Sequence, residues 1–367
     1  MRPLEPTREQ EELRDAVRAV LTRHPGHAAW APLTARIGVA ALAVPDEYGG
    51  LGCGPAEVGV VMAELGRTLS PVPYLGSAVL TVEALLASGD REACAKHLPD
   101  LAQGTTVGAL AWAEGPGAAS APGGGWEAGD LSARAEPAGP DWLLTGTKRY
   151  VLAGPAEPAL ILAFATMDPV TATTPRRLGL FELTAPPAAF TVRSTMDRTR
   201  PLAELTLGRT PARLLSADGG GVLARVRDLA CTALAAEQTG AAARALEVTV
   251  RYAKERVQFG RPIGSFQAVK HRLADLHTAV EGARSLALAA AASDAAPALA
   301  AAAASACSEA YAYVAAEMIQ LHGGIGITWE HEAHEYFKRA HGSALLFGSP
   351  AAHRERLAAR LGFLPTG

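Results

Sequence analysis

Three long alanine-dense runs set the strongest limit on what this chain can fold into. They read GVLARVRDLACTALAAEQTGAAARALEVTVRYAKERVQ, SFQAVKHRLADLHTAVEGARSLALAAAASD and ALAAAAASACSEAYAYVAAEMIQLHG. Alanine has the highest helix propensity, and its small side chain lets helices approach closely. From about residue 219 onward the pattern therefore predicts packed long helices.

The preceding chain has two textures. TREQEELRDAVRAVLTRH places Leu13, Val17, Val20 and Leu21 on one helical face, with Thr7 as N-cap and Gln10 three residues on. Further helical segments, APLTARIGVAAL, AEVGVVMAELGRTL, SAVLTVEALLASG and REACAKHLPDLAQG, are separated by the turns VPDEYGGLGCGP and SPVPY. Then GALAWAE, WLLTGTKRYVLAG, PALILAFATM, RRLGLFELTA, AFTVRST and LAELTLG read as short antiparallel strands, with GPGAASAPGGGWEAG as a long loop among them. The expected class is α+β, in three domains: helical 1–108, a central antiparallel β-domain at 109–215 of barrel-like form, and helical 216–367.

With 34 basic and 37 acidic residues, a net charge of -3 and no basic block, the chain offers no surface for nucleic acid or anionic membrane. No apolar run is long enough for a membrane span, and the N-terminus lacks the apolar core of a signal peptide, so a cytoplasmic location is expected. Cys53, Cys94, Cys231 and Cys307 are widely spaced without a CxxC pair, which predicts reduced, mostly buried thiols.

Two stretches carry candidate chemistry. In RYAKERVQFGRPIGSFQAVKHRLADL, Arg256 and Phe259 sit three apart beside a tight Gly-Arg-Pro-Ile-Gly turn. A guanidinium fork with a nearby ring suits a phosphate-bearing aromatic cofactor; the same spacing also fits a helix-capping arginine and a core phenylalanine. In QLHGGIGITWEHEAHEYFKRAHG, Gly323, Gly324 and Gly326 lie between two helical runs, where backbone is able to approach a ligand. His331 and His334 are expected on the following helix, but HEAH is one residue short of the HExxH metal motif, and no metal site is predicted. No GxSxG element or P-loop is present.

Together, VPDEYGGLG, the strand-rich middle, RVQFGRPIGSFQAVKHRLADL and QLHGGIGITWEHEAHEYFKRA resemble the acyl-CoA dehydrogenase family along nearly the whole chain. The wording is most similar to an actinobacterial acyl-CoA dehydrogenase-like subgroup, some members of which are mixed tetramers of two different subunits. The resemblance implies a C-terminal four-helix bundle behind the N-terminal helical domain and the β-domain. It implies FAD as cofactor, an acyl-CoA thioester as substrate, a homologous partner subunit in a dimer or tetramer, and an electron-transfer acceptor. The reaction implied is α,β-desaturation: a carboxylate removes the α-proton while hydride leaves for the flavin. Carried over by motif, the cofactor-binding residues are Arg256, Phe259, Gln267, Gln320, Gly323, Gly324 and Ser349, with the Arg-x-x-Phe-Gly and Gln-x-x-Gly-Gly elements serving the neighbouring subunit's FAD.

The catalytic base is where the sequence departs. The family's usual glutamate falls at Phe347, in SALLFGSP, and the alternative position on the preceding long helix is Ala230. Glu237 shares a helix face with Ala230 but lies about 10 Å along the axis, and Asp228 faces elsewhere. The catalytic residue is therefore unassigned. The Phe347 backbone N–H still suits a thioester oxygen. Where the family has Thr-Glu-Pro and Trp-Ile-Thr around the flavin ring, this chain has Ala113, Glu114, Gly115 and Tyr150, Val151, Leu152. Each missing hydroxyl bond costs about 1–3 kcal/mol if its partner is left buried and unpaired. The leading expectation is a subunit without its own base that completes a partner's FAD site. The alternatives are a homo-oligomeric flavoenzyme using Glu237 or flavin–oxygen chemistry, and a non-catalytic acyl-CoA-binding or scaffold subunit.

Overall fold

The computed structural model describes residues 5–115, 126–154, 157–167 and 177–363. Helix α1 (Arg8–Arg23) opens with the expected reciprocal cap: the Thr7 N–H donates to Gln10 Oε1 at 3.1 Å and the Gln10 N–H to Thr7 Oγ1 at 3.3 Å. Short irregular turns follow to α2 (Pro55–Arg67); then Tyr74–Thr81, wound as a π-helix, runs into Val82–Ser88 to form α3. Helix α4 (Arg91–Gln103) is capped by Asp90, whose side chain accepts from the Ala93 N–H at 2.9 Å.

Seven strands come next: β1 (Gly108–Ala111), β2 (Arg134–Ala138), β3 (Asp141–Leu152), β4 (Leu160–Thr166), β5 (Leu178–Leu183), β6 (Ala189–Arg193) and β7 (Leu202–Ser216). Their order is β1-β4-β2-β3-β7-β5, with β6 on β7 and β5 pairing back onto β4, so five strands close a ring. Pairing is antiparallel except β1 with β4 and β2 with β4. Ala203, Leu205 and Leu207 alternate into the ring's core with Leu144 and Phe181. The β3–β7 register slips at two places. At these slips Arg209 and Tyr150 take left-handed φ of 59° and 56°, which marks them as bulges that re-aim the chain. Of the long loop expected in this region, residues 116–125 lie outside the described residues.

The C-terminal part is α5 (Gly219–Glu255), α6 (Gln267–Ala292), α7 (Pro297–His322), α8 (Ala333–Ser343) and α9 (Pro350–Arg360). The alanines do what their size allows: Ala235, Ala283, Ala287, Ala290, Ala303 and Cys307 form one core in which α5, α6 and α7 nearly touch. The Cys307 thiol, pushed up to about 12 by burial, donates to the Ala283 carbonyl at 3.3 Å. None of the four cysteines forms a disulfide among the described residues, and three are buried. No helix among the described residues is long and apolar enough to cross a membrane.

The chain divides into two compact units. One comprises Met1–Arg23, Pro55–Ser70 and Cys231–Gly367, the other His24–Gly54 and Pro71–Ala230. The first holds α1, α2, most of α5 and α6 to α9; the second holds α3, α4 and the sheet.

Candidate functional site

Within the helical unit, one end gathers most of the expected cofactor residues. Helix α5 stops at Glu255, and the chain turns back through a hairpin of Val257–Gln258 against Arg261–Pro262. Its two turn residues, Phe259 and Gly260, have φ of 52° and 76°, the left-handed pair that a tight hairpin demands. Glycine takes this conformation without strain, but an aromatic residue does not. Yet Phe259 is 91% exposed, so no core contact compensates it. Beneath it Phe266 stands edge-on at 6.2 Å, with the Arg261 guanidinium 4.0 Å from the Phe266 centroid. Arg256 and Gln267, the first residue of α6, are exposed on either side of the hairpin.

The second element arrives from α7. Gln320 is exposed in its last turn, and Gly323, at φ 63° and ψ -143°, breaks the helix in a conformation open only to glycine. Tyr252, one turn before Arg256, ties the two elements together. Its ring stacks on His322 at 4.3 Å and its hydroxyl donates to the His322 carbonyl at 3.4 Å. His331 packs on the other side of His322 at 4.3 Å. The His322 Nδ1–H donates to the Met318 carbonyl at 2.7 Å, and burial together with His331 outweighs that bond and pushes the imidazole down from its ordinary value. Val257, Phe259, Ile325, Ile327 and Trp329 leave this end with exposed apolar surface.

Ser349 is not part of that end. It caps α9, its hydroxyl accepting from the Ala352 N–H at 3.2 Å. One turn on, Arg354 donates to Ser305, which precedes His322 by seventeen residues on α7, about 25 Å along a helix axis. The histidine pair is also not arranged as expected. His331 lies before α8, where its Nδ1 accepts from the Ala333 N–H at 3.1 Å and so serves as a cap. No group of three or more His, Cys, Asp or Glu among the described residues is placed to hold a metal ion.

The seat of the expected base is hydrocarbon. Phe347 is 1% exposed, with left-handed φ of 65°, in the turn between α8 and α9. Gly348 follows against the His353 ring, and Ala230 is fully buried on α5. Glu237 does not stand in for either. The Arg339 Nη1 donates to Glu237 Oε1 at 2.7 Å, with both side chains buried, and Arg339 also donates to the Leu69 carbonyl. A carboxylate fixed in a buried ion pair is not poised to accept a substrate proton. The two partners are 102 residues apart, so no local sequence pattern announces the pair.

In the sheet-bearing unit, the positions that face the flavin ring in the family are filled from within. Lys148, fully buried, donates to Glu114 Oε1 at 2.6 Å and to the Trp112 carbonyl at 3.2 Å. Burial pushes the Lys148 ammonium down, with Glu114 opposing. Burial raises the Glu114 carboxyl, but Lys148, Ser132 and the Ala133 amide outweigh it and hold it below the usual carboxylate range. The Ala113 carbonyl accepts from the Arg149 N–H at 2.7 Å. Tyr150, at its bulge, stacks on Trp126 at 5.8 Å, and Trp126 meets Trp112 edge-on at 5.2 Å. Val151 and Leu152 are buried and carry no hydroxyl. These groups do not fit the hydrogen-bonding edge of a flavin ring, whereas the Arg256–Gly324 end has the exposed cation and open backbone that a pyrophosphate needs. No local sequence signal singles out Lys148, because β3, DWLLTGTKRYVL, also carries Asp141 and Arg149.

Family models described as the acyl-CoA dehydrogenase N-terminal and C-terminal domains match residues 7–105 and 225–362. The chain belongs to the acyl-CoA dehydrogenase family. It is 39% identical to acyl-CoA dehydrogenase IpdE2 of Mycobacterium tuberculosis, over 96% of this chain and 97% of that protein. Among solved structures, a variant of the Tcur3481-Tcur3483 steroid ACAD matches at 32% identity and a TM-score of 0.81, covering 97% of this chain and 98% of that one. The ChsE4-ChsE5 complex of Mycobacterium tuberculosis matches at 27% identity and a TM-score of 0.85, covering all of both chains. As an acyl-CoA dehydrogenase family member the chain is of the oxidoreductase class. A helical N-terminal region, a central sheet and a helical C-terminal region are the architecture expected.

Proposed function

We propose that this acyl-CoA dehydrogenase family member is one subunit of a heteromeric, FAD-dependent acyl-CoA desaturase, lacking its own base and completing the FAD site of a homologous partner. The observation that carries this reading is Phe347, a buried hydrocarbon in the seat of the proton acceptor. The division of labour follows from the two ends. Arg256 supplies a charge-assisted fork for pyrophosphate, Phe259 a ring surface for the cofactor's apolar part, and Gly323 with Gly324 a backbone approach; Gln267 and Gln320 supply polar contacts there, whereas Ser349, away from that end, would serve a different part of a cofactor. FAD, when bound, supplies the hydride acceptor, and an electron-transfer acceptor then takes the reducing equivalents. Two of the matching structures bear paired chain names, ChsE4-ChsE5 and Tcur3481-Tcur3483, which supports a two-subunit arrangement.

The deciding measurement is the flavin-to-chain ratio of the protein purified alone and with a homologous chain encoded nearby. One flavin per two chains, with acyl-CoA desaturation only in the mixture, is the expected outcome. A yellow, active protein from this chain alone sinks the proposal. Stoichiometric acyl-CoA binding without flavin under either condition points to a scaffold subunit instead.

A further inference from the structure

A cavity of about 550 Å³ lies in the helical unit among α1, α2, α5 and α6, away from the residues assigned to the cofactor. Its floor exists because α2 and α5 run in backbone contact. A Cβ on Gly240 would sit 2.0 Å from the Ala63 carbonyl oxygen, and one on Gly59 3.6 Å from the Ala236 methyl. Helices α1 and α6 supply the rest of the lining. Ala287, Leu288 and Ala291 form the α6 wall, and Val60 and Ala243 extend the apolar surface.

The polar rim defines what fits. Four arginines and four glutamates line the cavity, so its formal charge is zero, and the arginines are engaged internally. Arg18 binds Glu64 through two nitrogens at 2.7 and 2.8 Å, and Arg67 binds Glu247 at 2.7 and 2.9 Å. Arg14 pairs with Asp15 and Arg284 with Glu281. Gln10 donates to Glu57 at 3.0 Å, and the Thr239 hydroxyl to the Ala236 carbonyl at 2.8 Å. An anionic ligand would compete with these carboxylates for the guanidinium groups and meet the repulsion of the lining glutamates, while an uncharged apolar one gains contact with the alanine floor. The volume lies within the roughly 300–1,000 Å³ typical of small-molecule sites.

We infer that this cavity binds an uncharged, mainly hydrocarbon molecule, recognised by shape. The test is isothermal titration of the full chain with octan-1-ol and with octanoate, matched in carbon number and different in charge. Saturable binding of the alcohol is expected, with octanoate weaker by about tenfold or more. Val60→Trp, which fills the cavity, should weaken alcohol binding by about tenfold with the fold intact by circular dichroism. If that variant does not fold, Leu288→Phe decides, because Leu288 is 36% exposed and tolerates enlargement. Absence of saturable alcohol binding, equal binding of octanoate, or unchanged affinity in the folded filling variant overturns the inference.

Discussion

Two phenylalanines in the helical unit share an unusual backbone and have opposite surroundings. Phe259 and Phe347 both hold left-handed φ, at 52° and 65°, but the first is 91% exposed and the second 1%. For a bulky residue that conformation is strained, so each must be held by something. Around Phe347 the compensation is visible as burial. Around Phe259 no core packing provides it, which is what a residue shaped for contact outside the chain looks like. The same contrast runs through the neighbours. Arg256 and Gln320 face outward, whereas Glu237 and Arg339 satisfy each other inside.

The largest effect should come from the buried phenylalanine. Phe347→Ala is expected to lower stability by about 3–5 kcal/mol through reduced burial and a residual cavity, read as a shift of the urea midpoint. A change under about 1 kcal/mol would show that Phe347 does not hold its turn by packing. Glu237→Gln comes next, at about 3 kcal/mol, because it leaves Arg339 buried without its counter-charge. With the partner present, the folded fraction of this variant should desaturate acyl-CoA at an undiminished rate. A selective collapse of turnover without loss of stability would restore Glu237 as a catalytic base.

The exposed end should respond in the opposite sense. Arg256→Ala is expected to leave the melting of the chain alone unchanged and to weaken flavin retention by the assembled protein by about 1.5–3 kcal/mol, the range of a charge-assisted hydrogen bond. Fluorescence of released flavin during dialysis reads this directly. Equal retention by Arg256→Ala and the parent protein breaks the comparison, since Arg256 would then be an ordinary surface cation.

A smaller effect concerns the filled ring position in the sheet-bearing unit. The Glu114 carboxyl is held below its ordinary value of 4.5, so its contribution is complete above that pH and is lost as pH falls through the lower folded value. Lys148 is depressed too, and by the same linkage its burial cost is relieved as pH rises toward 10.5. Both slopes have the same sign: stability rises with pH. Because a buried lysine, unlike an arginine, is able to shed its proton, Glu114→Gln should cost less than the Glu237 variant, about 1 kcal/mol near neutrality, and flatten the acid limb below about pH 5. An unchanged acid limb, followed by urea titration, would show that this pair does not couple the sheet to pH.

How much of this is legible in the sequence depends on whether the deciding interaction is local. Alanine density, the Thr7–Gln10 cap and the alternation in β7 are carried by residues within a few positions of one another, and they suffice for the helices and most strands. Strand β2 has no such pattern, because RAEPA carries charges and Pro137, and its place is set by partners on β3 and β4. The parallel β1–β4 pairing has no local signature either. In the candidate site the motif residues are readable as types, yet Ser349 lies on a different part of the helical unit. Glu237 looks available from its own neighbourhood only because Arg339, far along the chain, is invisible there.

The subtlest prediction returns to Phe259. Replacing a residue with left-handed φ by glycine removes the steric cost of a Cβ but frees the unfolded chain, so the two effects partly cancel. Since the exposed ring gives up no core packing, Phe259→Gly should be neutral to stabilising, by up to about 1 kcal/mol. At Phe347 the same exchange must destabilise, because about 3–5 kcal/mol of packing outweighs the relieved strain. A stable Phe259→Gly chain whose assembled form holds flavin less tightly would mean that the turn's strain is maintained for a contact made only in the complex. If Phe259→Gly instead destabilises the isolated chain by more than about 1 kcal/mol, the ring is serving its own fold through Phe266. The distinction between an inward and an outward phenylalanine would then disappear.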